Sequence, residues 1–183
     1  MKFPQLYRIV CEKNFREELR YAVVKKDFTY ATDSHVLVRH ETSKLFDDVF
    51  ISKIPAEGVA LNHHILKALC LRSVIRAELF RVEIVLHTKD KSKNPQMCFD
   101  LPRIEFLKFP DFNKVLWNET DAKPLKQIII NPVLLHKACL AIDPELTYLK
   151  MYFQSEERSI LIKPKLDSDY FGAVGVIMPC AWE

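Results

Sequence analysis

Asp33 and His35 stand two residues apart in the stretch Phe28–His40, FTYATDSHVLVRH, and an acid beside an imidazole is the minimal pair for general-base chemistry. A small hydrolase or nuclease built on them would also need a nucleophile, and no serine or cysteine sits in a recognisable local motif. Asp33 fits better as an acceptor for the amides of its own turn. His63-His64 is the most tempting pair of metal-type ligands, but neighbours on a helix point about 100° apart and no HExxH pattern follows. Only Gly58, Gly172 and Gly175 are glycines, so a Walker-type loop and a GxGxxG fingerprint are both absent, which argues against a nucleotide-binding enzyme. The expectation is a protein without catalytic residues, metal or cofactor.

Five cysteines, Cys11, Cys70, Cys98, Cys139 and Cys180, are odd in number, widely spaced and lack a CxxC pair. They read as reduced thiols of a cytoplasmic protein rather than as a disulfide framework or zinc site. With 183 residues, 49% hydrophobic and 28% charged, the chain suits one soluble globular domain spanning 1–183. No apolar run approaches the roughly 20 residues needed to span a bilayer, and no export signal is evident at the N-terminus. A formal charge of +3 permits a polyanionic partner without demanding one.

The elements that position these residues begin with strand-like stretches at Leu6–Cys11 and Leu19–Val24. The anchor hairpin follows, Phe28–Thr32 and His35–Arg39 alternating on either side of Asp33-Ser34. Val49–Ile51 reads as a short strand and Pro55–Gly58 as a break. Asn62 caps a helix whose Ile65, Leu66, Leu69 and Cys70 share one face, opposite His63, His64 and Lys67; Leu61 and Leu66 form a hydrophobic staple. Leu79–His87 and Met97–Leu101 read as strands around the charged tip Lys89–Asn94, a solvated turn. Phe109–Val115, FPDFNKV, must be irregular at Pro110. Lys126–Ile130 is a strand, and Asn131-Pro132 opens a second helix that ends at Asp143-Pro144 and buries Leu134, Leu135, Ala138, Ala141 and Ile142. Thr147–Gln154, Ser159–Lys163 and Ala173–Met178 complete the strands.

Asn62 and Asn131 lie 69 residues apart, and the same offset relates Ile65 to Leu134, Leu66 to Leu135, Cys70 to Cys139, Leu71 to Leu140 and Pro110 to Pro179. Two helix-then-strands units result, with half-units roughly 1–117 and 118–183.

Three segments resemble, in order, signatures of the bacterial DNA polymerase III beta subunit, the sliding clamp: ATDSHVL at Ala31–Leu37, FPDFNKV at Phe109–Val115 and VIMP at Val176–Pro179. The resemblance implies the clamp fold, α+β, with two helices packed on antiparallel sheets and a pseudo-two-fold internal repeat. Ser34 replaces that family's Gly, Val36 its usual Arg, and Cys180, Ala181 and Trp182 its Met-Arg-Leu ending.

It further implies a non-enzymatic protein of DNA replication or repair, with a groove for short linear peptides of replication or repair proteins. Carried onto matching positions, that groove would be lined by Thr32, His35, Leu37, Pro110, Val115, Val176 and Met178. Duplex DNA is the second partner implied, with Lys67, Arg72 and Lys137 as the outward cations of the helices. The alternative within the family is a DNA-encircling ring, a homo-oligomer of single-domain chains.

Overall fold

The computed structural model describes residues 3–10, 16–89, 96–102, 109, 111–117, 119–123, 129–145, 148–155, 158–165 and 168–178. Tyr21–Val24 (β1), Phe28–Thr32 (β2) and Val36–Glu41 (β3) form a meander, with Val59–Asn62 (β4) pairing back onto β1. Helix α1, Asp48–Ser52, lies between β3 and β4. Helix α2, His63–Leu69, leads into Val74–Leu79 (β5), Glu83–Thr88 (β6) and Gln96–Asp100 (β7), a separate three-stranded sheet. After α3, Phe112–Val115, helix α4, Pro132–Ile142, leads into Leu149–Tyr152 (β8), Ile160–Pro164 (β9) and Val174–Ile177 (β10). These last strands complete a seven-stranded antiparallel sheet in the order β4-β1-β2-β3-β10-β9-β8. The fold is α+β, and α2 and α4 each open a helix-then-three-strands unit.

Both helix starts follow from their caps. Asn62 Oδ1 accepts from the Ile65 amide at 3.0 Å, and Asn131 Oδ1 accepts from the Val133 amide at 2.9 Å, with Pro132 at the first helical position. Such caps satisfy donors that have no partner within the helix. At the other end, the Asp143 amide donates to Cys139 O at 2.9 Å and closes α4.

Alternation along the strands gives the seven-stranded sheet two apolar faces. Ala22, Val24, Ala31, Val36, Val38, Ile160, Ile162 and Ile177 face a large core that also takes Ile65, Leu66 and Leu69 of α2 and Ala138, Ala141 and Ile142 of α4. Leu6 and Ile9, fully buried, join the same core, and the 3-10 turn Leu6–Arg8 packs against both helices. On the opposite face Tyr30, Leu37, Leu161, Val174 and Val176 form a second cluster with Phe112 of α3.

Several expectations require correction. Leu6–Arg8 is a 3-10 turn, not the strand expected over Leu6–Cys11. Val49–Ile51 lies within α1, because Asp47 Oδ1 accepts from the Phe50 amide at 2.8 Å and caps a helix there. Leu79–His87 is two strands: the Phe80 amide donates to Glu83 O at 2.9 Å in a tight turn, and exposed Phe80 and Val82 give that turn the apolar look of a continuous strand. The strand expected at Lys126–Ile130 falls mostly outside the described residues. Among the described residues no helix is long and apolar enough to cross a membrane.

Candidate functional site

Strand register assembles the site. Thr32 pairs with Leu37 across β2 and β3, and Leu37 pairs with Val176 across β3 and β10. Partners in an antiparallel ladder point to the same face, so the three side chains form a row across strands about 4.8 Å apart. Two residues along, Tyr30, Arg39 and Val174 make the next row on that face. Phe112 stacks on Tyr30, ring centroids 4.2 Å apart and planes within 6°, so α3 covers this second row beside the first.

What remains is a cavity of about 210 Å³ lined by Arg16, Leu19, Thr32, Ser34, His35, Val36, Leu37, Phe112, Val115, Val176 and Met178. It straddles the β3–β10 pairing, where strands that precede α2 meet strands that follow α4. Six of the seven residues implied for a peptide groove border this one cavity; the seventh, Pro110, lies outside the described residues. Arg16, Leu19, Ser34, Val36 and Phe112 also line it, beyond the residues that the resemblance implies. Leu19 precedes β1 in a turn that carries no motif, whereas Phe112 sits inside the FPDFNKV segment and its aromatic character was a usable signal.

Floor and rim differ in exposure. Thr32, Leu37 and Val176 are buried, while Met178 and Val115 are 43% and 41% exposed at the edge. An apolar cavity of about 150 Å³ holds a benzene ring, so this one admits an aromatic or branched aliphatic side chain with room beside it.

The corner between β2 and β3 is held by Asp33. Its Oδ1 accepts from the His35 amide at 3.0 Å and from the Val36 amide at 2.8 Å, and its Oδ2 accepts from Lys137 Nζ of α4. The Met178 amide in turn donates to His35 O at 3.0 Å. Ser34 takes φ of 79°, a left-handed conformation that glycine adopts freely and that costs another residue about 1–2 kcal/mol.

These contacts settle several readings of single residues. Asp33 spends its carboxylate on backbone amides and a lysine, so it does not orient the His35 imidazole, and the hydrolase arrangement is not built. Lys137 does not face outward as implied for a DNA-lining cation; it turns to Asp33, the two side chains being 22% and 10% exposed. It lies three residues after Leu134 and four before Ala141, on the buried side of α4, and that periodicity was legible. Lys67 and Arg72 are exposed, Arg72 in the turn after α2 rather than on the helix. His63 Nδ1 donates to Tyr7 O at 3.0 Å, and no group of metal-type ligands occurs among the described residues. Cys70, Cys98 and Cys139 are free thiols; burial pushes Cys70 up to about 12 and raises Cys139, which keeps both protonated and unreactive.

No protein-family model and no curated protein matches the chain. Solved structures do. The beta subunit of DNA polymerase from Streptococcus pyogenes superposes with a TM-score of 0.63 at 12% identity, over 96% of this chain and 62% of that one. The H. pylori beta clamp in complex with diflunisal gives 0.64 at 9% identity, over 97% and 62%. A sliding clamp from Pseudomonas aeruginosa bound to griselimycin gives 0.55 at 13% identity, over 98% and 64%. The chain thus spans less than two thirds of the length of the clamps it matches, and it has the fold of the bacterial DNA polymerase III beta sliding clamp.

Proposed function

We propose that the chain is a non-enzymatic, sliding-clamp-like protein of DNA replication or repair that captures short linear peptides in the cavity between the β2–β3 corner, α3 and the end of β10. The observation that carries this reading is the convergence of three separated segments on one small apolar cavity, with the row Thr32, Leu37 and Val176 as floor and Met178 and Val115 at the rim. Its size and lining suit a Leu or Phe side chain presented by an extended segment. Burying two such side chains contributes about 3–6 kcal/mol before association costs, so micromolar strength, about 8 kcal/mol, also needs main-chain and polar contacts along the rest of the peptide.

A duplex partner is the lesser part of the reading. It rests on the exposed cations Lys67 and Arg72, and it implies loose, salt-sensitive binding by a ring of several copies.

The test is fluorescence anisotropy with a labelled peptide carrying a glutamine followed by spaced Leu and Phe. Met178 is the suitable probe because it is 43% exposed, whereas Leu37→Ala would also remove core packing. Met178→Ala weakens binding about tenfold, the loss of roughly 1.4 kcal/mol of contact, with an unchanged unfolding midpoint. No binding by the wild type at high micromolar peptide, or equal binding by the variant, refutes the peptide site.

A further inference from the structure

We propose that Lys137 is a positioning residue of the groove: from the buried side of α4 it holds the β2–β3 corner, and through the corner the end of β10, in the shape a peptide side chain would meet. The inference rests on the reading of that cavity as a peptide site, although its geometry stands without a ligand.

A line of bonds runs from the helix to both rims. Lys137 Nζ donates to Asp33 Oδ2. Asp33 Oδ1 takes the His35 amide at 3.0 Å and the Val36 amide at 2.8 Å. The carbonyl of His35 then takes the Met178 amide at 3.0 Å. Between the end of β2 at Thr32 and the start of β3 at Val36, the corner is otherwise held by the Asp33 amide on Val36 O and the Ser34 amide on Thr32 Oγ1, each at 3.2 Å, and neither ties it to α4. Ser34, at φ of 79°, favours relaxation of this turn once its restraint is removed.

Charge makes the lysine necessary. A carboxylate 10% exposed that lost its cation would leave a largely desolvated charge uncompensated. It would relieve this by swinging toward water, and the amides of His35 and Val36 would lose their acceptor. Lys137 also displaces what the repeat would put there: the position 69 residues earlier is Ala68, 8% exposed, a small buried residue with no polar reach. A lysine on the buried side of a helix costs side-chain entropy and desolvation, and a bond to the groove corner is what that side chain achieves.

The experiment compares Lys137→Met, which keeps the apolar stem and removes the charge, with Lys137→Arg, which keeps the charge. The first readout needs no ligand: amide hydrogen exchange of Val36 and Met178, with Leu86 of β6 as a remote reference. In Lys137→Met the two groove amides exchange about tenfold faster relative to Leu86, an effect of the size of a coupled pair, and Lys137→Arg restores most of the protection. The second readout is peptide affinity, expected to weaken about fivefold in Lys137→Met and to recover in Lys137→Arg. If Lys137→Met does not fold, Asp33→Asn replaces it, because the amide oxygen still caps the corner while the charge pair is gone. Unchanged exchange at Val36 and Met178, or acceleration equal to that of Leu86, overturns the proposal and leaves an ion pair that serves global stability only. A wild type that binds no peptide while its groove amides respond as expected refutes the peptide site and leaves the positioning role standing.

Discussion

Helices α2 and α4 begin with the same device and bury different things. Each has an asparagine cap, a staple residue before it and an apolar side turned to the same core. In α2 that side is closed: Ile65 and Leu66 are fully buried and Ala68 and Leu69 nearly so, wedged against β4, β5 and the Leu6–Arg8 turn. In α4 the equivalents of Ile65 and Leu66, Leu134 and Leu135, are only half-buried. Lys137 stands at the position of Ala68, and the last turn carries the packing through Ala138, Ala141 and Ile142 against β3 and β10. Ile142 lies so close to the seven-stranded sheet that a Cβ on Gly175 would come within 2.4 Å of its Cδ1. The same local code therefore ends in a closed apolar side in one unit and in a lysine bonded to the β2–β3 corner in the other. The difference lies in which strands each helix meets, β4 and β5 for α2 and β3 and β10 for α4.

Core deletions break this comparison most strongly. Leu66→Ala, at a fully buried site, is expected to cost about 3–4 kcal/mol, and Leu135→Ala, at the equivalent half-buried site, about 1 kcal/mol. Urea denaturation measures both, and equal costs would mean that the two helices share one packing environment after all.

Acid separates the helices by a different route. His40 on β3 is buried and its Nε2 donates to Ala141 O of α4 at 2.7 Å; desolvation lowers its pKa to about 4, against the hydrogen bond to Ala141, which raises it. An unfolded chain with a histidine pKa near 6.5 binds a proton in the interval where the folded chain does not. The stabilisation is thus complete above about pH 6.5 and is lost as the pH falls toward 4, amounting to about 3 kcal/mol. Urea midpoints from pH 7 to pH 4 should fall more steeply for the wild type than for His40→Gln, with the excess in amide exchange appearing in α4 rather than α2. Parallel curves for the two proteins would remove His40 as the link between β3 and α4.

The smallest effect sharpens the likeness instead. Asn62→Ala and Asn131→Ala each remove one side-chain acceptor from a helix start and should cost about 1 kcal/mol apiece. Matching shifts in the urea midpoint support equal local roles, and a much larger loss at one site would show that its cap also holds tertiary structure.

Local rules of the chain determined the elements whose bonds close within a few residues. The caps at Asn62 and Asn131, the stop at Asp143, the Asp33 corner and the alternation of β2 and β3 are of this kind, and so are the three short segments that carry the clamp resemblance. Where a local reading failed, a stronger local bond competed with it, as at Asp47 in α1 and at the turn after Leu79.

Tertiary structure alone decided three things. Pairing of β3 with β10 brings Leu37 beside Val176, and a register that joins residues so distant in sequence leaves no local trace. Stacking of Phe112 on Tyr30 covers one row of the sheet face and leaves the next open as a cavity. The direction of Lys137 was the third: periodicity puts it on the buried side of α4, but only the position of Asp33, 104 residues away, supplies the charge that makes burial tolerable. The physical reason is the same in each case, because a side chain's partner across the fold is set by the packing of whole elements, and that packing depends on the sum of many weak contacts rather than on any one stretch of sequence.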